Sequence, residues 1–137
     1  MGVITTARKD PDTFYVVLTN ISNKPQSTWE TGNSWGDGTI SFDFTMPNGM
    51  HFLTTAIRQN YTRNIPSTYV IPPGEHEVYP IKLDSDWENR PPRSGDGVVP
   101  VTVKAIYDVR RGSDSDAFHV WTGRVESASY HFSLWYW

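Results

Sequence analysis

The chain has 137 residues, a formal net charge of -3 and no cysteine, which is the length of one domain able to bury a core without disulfide or thiolate-metal staples. Aromatic residues make up 14% and charged residues 20%, a balance that excludes wholesale disorder. The acidic excess offers a phosphate backbone no cluster of cations, so nucleic acid is excluded as a partner class. No apolar run reaches the roughly 20 residues of a membrane span, so no membrane insertion is expected, and the first residues lack the basic start and apolar stretch of a signal peptide. The residues leave the compartment open, with a site outside the cytoplasm favoured.

No internal repeat is visible, and the 10 Pro and 10 Gly are scattered as punctuation, so residues 1–137 read as a single domain. Residues 14–21 are β-branched and aromatic on both faces, as in a strand central in its sheet. A polar stretch, residues 22–37, follows and reads as the loop between the second and third sandwich strands, with Trp29 and Trp35 flanking Thr31-Gly32-Asn33-Ser34. Ile40, Phe42, Phe44 and Met46 then alternate with Ser41, Asp43 and Thr45, which places four large side chains on one sheet face. Pro47-Asn48-Gly49 sets up a tight turn into a strand over 50–57. Pro72-Pro73-Gly74 fixes one φ and frees another, ahead of a strand over 77–83. Residues 84–89 (DSDWEN) predict a single helical turn, the only helical claim in the chain. Val99, Val101, Val103, Ala105, Tyr107 and Val109 alternate along a second long strand that only Ile106 interrupts. Strands over 118–125 and 130–134 complete the set.

Many short strands without helices leave a sandwich or a barrel, because each sheet must bury its apolar face. The turn-then-strand at 71–83, the long strand ending in Ala105-Ile106-Tyr107 and the hairpin through Trp121-Thr122-Gly123 correspond to strands E, F and G of a sandwich. The expected fold is an all-β, antiparallel immunoglobulin-like β-sandwich of about 7–9 strands with little or no helix.

Four stretches, residues 29–44 (WETGNSWGDGTISFDF), 66–74 (PSTYVIPPG), 86–91 (DWENRP) and 120–127 (VWTGRVES), resemble an uncharacterised group of bacterial immunoglobulin-like domains. The similarity spreads from about residue 16 to residue 134. The resemblance implies the same sandwich and no activity, since the group has no established catalytic residues to carry over; one unit of a larger exported bacterial protein is the expected setting.

His51, His76, His119 and His131 fall on separate predicted elements without paired ligand spacing. The Asp-x-Asp pairs Asp84/Asp86 and Asp114/Asp116 do not continue into the Gly and distal Glu of a calcium loop, and read as solvated loop charges. Neither a metal nor a cofactor is expected. A Gly-x-Ser-x-Gly elbow, a phosphate-binding Walker loop and a Gly-x-Gly-x-x-Gly turn are all absent, so a non-catalytic module is expected.

The binding candidates are Trp29, Asn33, Trp35 and Asp37, two aromatic planes beside an amide and a carboxylate in one loop. Against direct contact stands the sealing role of large aromatics, with Trp35 as a lid over the core and Trp29 on a sheet edge, and sealing is favoured. Trp121 reads as core, and Trp87 as a plug at the opposite end of the molecule. The expected partner is another protein, met through loops or a sheet edge. A glycan stacked on Trp29, Trp35, Trp135 or Trp137, with Asn33 and Asp37 on its hydroxyls, is the alternative, and a small proteinase inhibitor the third reading.

Overall fold

A computed structural model describes residues 2–7, 13–92 and 98–135. Among them the chain forms, in order, β1 (Gly2–Ala7), β2 (Thr13–Thr19), β3 (Gln26–Trp29), β4 (Ile40–Thr45), β5 (His51–Ala56), β6 (Thr68–Ile71), β7 (His76–Lys82), β8 (Trp87–Glu88), β9 (Val98–Val109), α1 (Ser113–Ala117), β10 (Gly123–Glu126) and β11 (Tyr130–Trp135). All strand pairings are antiparallel. One sheet runs β1-β2-β7; the larger runs β10-β9-β4-β5-β8, with β11 also on β9; β3 and β6 form a separate ribbon.

The alternation of β4 and β9 sets how the sheets face each other. Ile40, Phe42 and Phe44 are buried, and the register places Phe42 opposite Ala105 and Phe44 opposite Val103, so each large ring sits beside a small neighbour. Phe42 meets Phe14 of the opposing sheet edge-on at 5.2 Å, and Tyr79 of β7 stacks on Tyr107 of β9 at 6.4 Å. These contacts close a β-sandwich with a single apolar core, into which Val101, Val103 and Leu134 also pack. Ile106 does not break the alternation. It points to the outer face and is buried there, beside the outward Asp108 of the same strand.

Both turns with expected chemistry form. The Met46 and Met50 backbones close a hairpin around Gly49, whose φ of 84° suits a residue without a Cβ. Gly74, at φ 77°, donates its N–H to the carbonyl of Asn20. The last strand is interrupted: β10 and β11 lie along one edge of β9, with Val103 facing Tyr130 and Ile106 facing Glu126, so one strand has one residue more than its partner over that stretch. Ser127 fills the bulge, accepting the Ala105 N–H on its hydroxyl and donating its own N–H to the Ala105 carbonyl, both at 2.9 Å.

Several expectations are corrected. Residues 84–89 form no helix; Asp84 caps a turn by accepting the Asp86 N–H at 2.9 Å, and Trp87 and Glu88 pair with β5 as a two-residue edge strand. Helix appears instead at Ser113–Ala117, where a strand over 118–125 was expected to begin shortly after. That helix ends in a Schellman turn, with Val120 N–H on the Ser115 carbonyl, His119 N–H on the Asp116 carbonyl, and His119 at φ 54° where glycine is usual. Strand therefore resumes only at Gly123. Trp29 lies on a strand, β3, within what read as a loop. Trp87 is not at the opposite end: it borders the same depression as Asp37, Gly38 and Thr39, and its ring lies 5.3 Å from Phe42. Of the terminal tryptophans considered for stacking, Trp137 and the side chain of Trp135 lie outside the described residues.

The core yields two expected outcomes. Phe42→Ala should cost about 3–5 kcal/mol in urea unfolding, whereas Leu53→Ala, 53% exposed on β5, should cost almost nothing; equal losses would show that the sheet faces are wrongly assigned. The Tyr79 and Tyr107 hydroxyls are buried close to each other and to Glu77, and Tyr79 also to Thr28, but no pair among the described residues reaches full hydrogen-bond geometry. Burial, then the neighbouring Tyr107 and Glu77, push the Tyr79 phenol far above its ordinary value, so it stays neutral. Because an unpaired buried hydroxyl is a net cost, Tyr79→Phe should leave the unfolding midpoint unchanged or raise it.

Candidate functional site

Three of the four nominated residues sit in the irregular segment 30–39, whose backbone groups need partners that no sheet supplies. Asn33, 1% exposed, provides them. Its Oδ1 accepts the N–H groups of Trp35 (3.1 Å) and Gly36 (2.9 Å), and its Nδ2 donates to the Ser67 carbonyl (3.2 Å) and hydroxyl (3.0 Å). That uses both donors and both acceptor positions of the amide. Gly36 is packed so tightly that a Cβ there would lie 1.9 Å from the Glu30 carbonyl oxygen.

The connection between β5 and β6, residues 57–67, is stitched to this segment along its length. The Gln59 N–H donates to Asp37 Oδ2 at 2.9 Å, the Tyr61 hydroxyl to the Thr31 carbonyl at 3.4 Å, and the Ser34 N–H to Asn64 Oδ1 at 2.9 Å. Partial burial, then the Asp37 carboxylate, hold the Tyr61 phenol above its ordinary value. It remains a donor.

The segment after β9 braces the other side. Asp114 Oδ2 accepts the Trp35 indole N–H at 2.8 Å, Phe118 lies 5.6 Å from Trp29, and the Trp121 N–H donates to the Ser27 carbonyl at 2.8 Å. Trp29 is thereby covered by Trp35 on one side, at 6.0 Å, and Phe118 on another; it is 4% exposed and belongs to the core. Trp35 is half-buried beside it.

Between these segments and the outer face of the large sheet lies an open cleft of about 540 Å³. Trp29, Trp35 and Asp37 border it, while Asn33 stands behind the wall as its organiser. Ser41 and Thr55 supply hydroxyls, and Asp108, Asp114, Arg58, Arg110 and Arg124 the remaining charge. Arg124 sits opposite Asp108 in the register of β10 and β9; its Nη2 meets Glu126 Oε1 at 3.0 Å and its Nη1 meets Asp108 Oδ2 at 3.4 Å. The bond to Glu126 first, and Asp108 second, raise the hold on its proton.

The structure thus brings the nominated residues together but assigns most of them to bracing. The arginines and Asp108 were missed. A signal existed in part: extending the period-two alternation of β9 puts Asp108 and Arg110 on the outward face, yet nothing along the chain connects them to Arg58. Among the described residues, no three of His, Asp and Glu gather closely enough to hold an ion, and no helix is long and apolar enough to cross a membrane. Comparison of the chain with family models, curated proteins and solved structures finds no match.

Two substitutions check the bracing. Gly36→Ala must push backbone against backbone and should destabilise by at least about 2 kcal/mol. Asn33→Ala leaves the N–H groups of Trp35 and Gly36 without their acceptor, while the Ser67 carbonyl keeps the Glu30 N–H, and should cost about 1–3 kcal/mol. Near-native unfolding midpoints for both would mean that segment 30–39 is not held as described.

Proposed function

We propose that this chain is a non-catalytic binding module of immunoglobulin-like type that engages a partner protein through the cleft beside Trp35. The observation that carries the reading is the bracing itself: three irregular segments, tied together by Asn33, Asp37, Trp35 and Asp114, hold open a charged, hydroxyl-lined concavity. Loops fixed on a rigid scaffold are where recognition surfaces are commonly built, and a surface ordered in advance loses little conformational freedom on binding.

The strand order supports the immunoglobulin-like assignment. The sheet β1-β2-β7 matches an A-B-E sheet, and β10/β11-β9-β4-β5 matches G-F-C-C′, with the β3-β6 ribbon as an insertion. Together with the motif resemblance, this favours a unit of a larger exported bacterial protein. The non-catalytic reading is supported by the cleft lining: among the described residues it includes no histidine, and each of the three aspartates there is already held by a hydrogen bond or ion pair. A glycan-stacking role is weakened for Trp29, which is core, and Trp35 already leans on it on one side.

The test blocks the cleft without touching the core. Thr55 lies on its sheet-face floor, and Thr55→Trp fills the space while leaving β5 paired. Peptides selected from a displayed random library on the wild-type protein should bind it saturably and lose binding to Thr55→Trp, with the variant's circular dichroism and melting curve unchanged. Absence of any enriched peptide, or equal binding to both proteins, would sink the reading.

A further inference from the structure

The charges of the cleft are unequally occupied. Three aspartates and three arginines line it, and the aspartates are all engaged: Asp37 by the Gln59 N–H, Asp114 by the Trp35 indole and Asp108 by Arg124. Arg124 is tied to Asp108 and Glu126. Arg58 and Arg110 are exposed, and neither makes a hydrogen bond or ion pair among the described residues. The acids are used in holding the walls, so the charged donors left among the lining residues are the two guanidinium groups.

A guanidinium presents its N–H groups as a planar fork that fits a carboxylate with two parallel, charge-assisted bonds. Within a concavity, such pairs lose less to solvent screening than on an open surface. We propose that Arg58 and Arg110 make this cleft a carboxylate-recognising site, whose ligand is a peptide segment of the partner carrying spaced Asp or Glu residues. The aspartates interleaved among the arginines reject a continuous polyanion by like-charge repulsion, which sets the segment apart from a polyphosphate chain in a protein that is itself acidic. The neutral hydroxyls of Ser41 and Thr55 on the floor suit the amide groups of a backbone lying between carboxylate anchors. This proposal rests on the cleft being the partner-binding surface.

Its test is fluorescence anisotropy with a labelled heptapeptide of alternating Ser and Glu, using the full chain. Saturable binding should weaken about tenfold or more in Arg58→Gln and in Arg110→Gln, the loss expected when one charged partner of a close pair is removed. It should weaken similarly when Gln replaces Glu in the peptide, fall with rising salt, and be unaffected by Arg90→Gln, an exposed arginine outside the cleft. No saturable binding, or binding indifferent to both cleft arginines, would overturn the proposal. A trigalacturonate that binds through Arg58 and Arg110 where the peptide does not would also overturn it, by reassigning the site to acidic sugars. If library peptides select through the cleft but carry no acidic residues, the carboxylate assignment fails alone; if nothing selects, the partner reading fails with it.

Discussion

The ring of Phe42 lies where both sheets and their edge meet. Phe14 approaches it from the opposing sheet at 5.2 Å, Phe44 from along the same strand at 5.8 Å and Trp87 from the two-residue edge strand at 5.3 Å. A ring of that size fits because its cross-strand neighbour on β9 is Ala105; large against small at facing positions lets a core reach native density without forced rotamers. The consequence reaches beyond packing. Because Phe42 sets the inward face of β4, Ser41 is committed to the outer face and Ile40 to the core, and the end of β4 from which segment 30–39 departs is thereby oriented. The cleft depends on that orientation: Ser41 and Thr55, opposite each other in the β4-β5 register, form part of its lining.

Above the sheet end the problem changes from apolar burial to hydrogen-bond accounting. Segments 30–39, 57–67 and 110–122 are largely irregular, and each carries backbone N–H and C=O groups that no ladder satisfies. This chain answers with short polar side chains. Asn20 does at the end of β2 what Asn33 does at the top of the cleft: its Nδ2 donates to the carbonyls of Lys24 and Ile71, and its Oδ1 accepts the N–H and hydroxyl of Ser22. Both amides are buried and fully used. Ser115 and Ser127 serve in the same way at the helix and the bulge. Rigidity at this end of the molecule therefore comes from saturated amides and hydroxyls, and its cost is that those groups cannot also meet a ligand.

That division explains what could be read from the chain and what could not. Period-two alternation exposes β4 and β9 directly, since a buried sheet face demands it, and the turns at Gly49 and Gly74 follow from the φ values that only such residues take freely. Short elements escape: β3 and β6 have four residues each and β8 two, too few for alternation to stand out, and the five residues of α1 complete barely more than one turn. Trp29, Asn33, Trp35 and Asp37 were recognisable as belonging together because they are close along the chain. Sealing by the two tryptophans was expected from their size, but the role of Asn33 was not legible, because composition alone does not separate an asparagine that contacts a ligand from one whose four hydrogen-bonding positions are consumed by Trp35, Gly36 and Ser67. Arg58 and Arg110 were invisible for the opposite reason: only the pairing of β5 and β9 through β4 brings residues so distant in sequence to one concavity.

The same constraint shapes the electrostatics. A loop cluster of this kind needs acceptors for stray N–H groups, and carboxylates are the strongest acceptors a side chain offers. Asp37 and Asp114 fill that need for Gln59 and for the Trp35 indole, and in doing so they place negative charge at fixed points on the wall. Arg58 and Arg110 stand beside that charge without being drawn into the bracing, since neither makes a hydrogen bond or ion pair among the described residues. Arg124 is the exception because β10 sets it opposite Asp108 and two residues from Glu126. The result is a surface whose acids are structural and whose remaining arginines are free to meet a carboxylate from outside, an asymmetry that follows from how irregular backbone is satisfied rather than from the net charge of the chain.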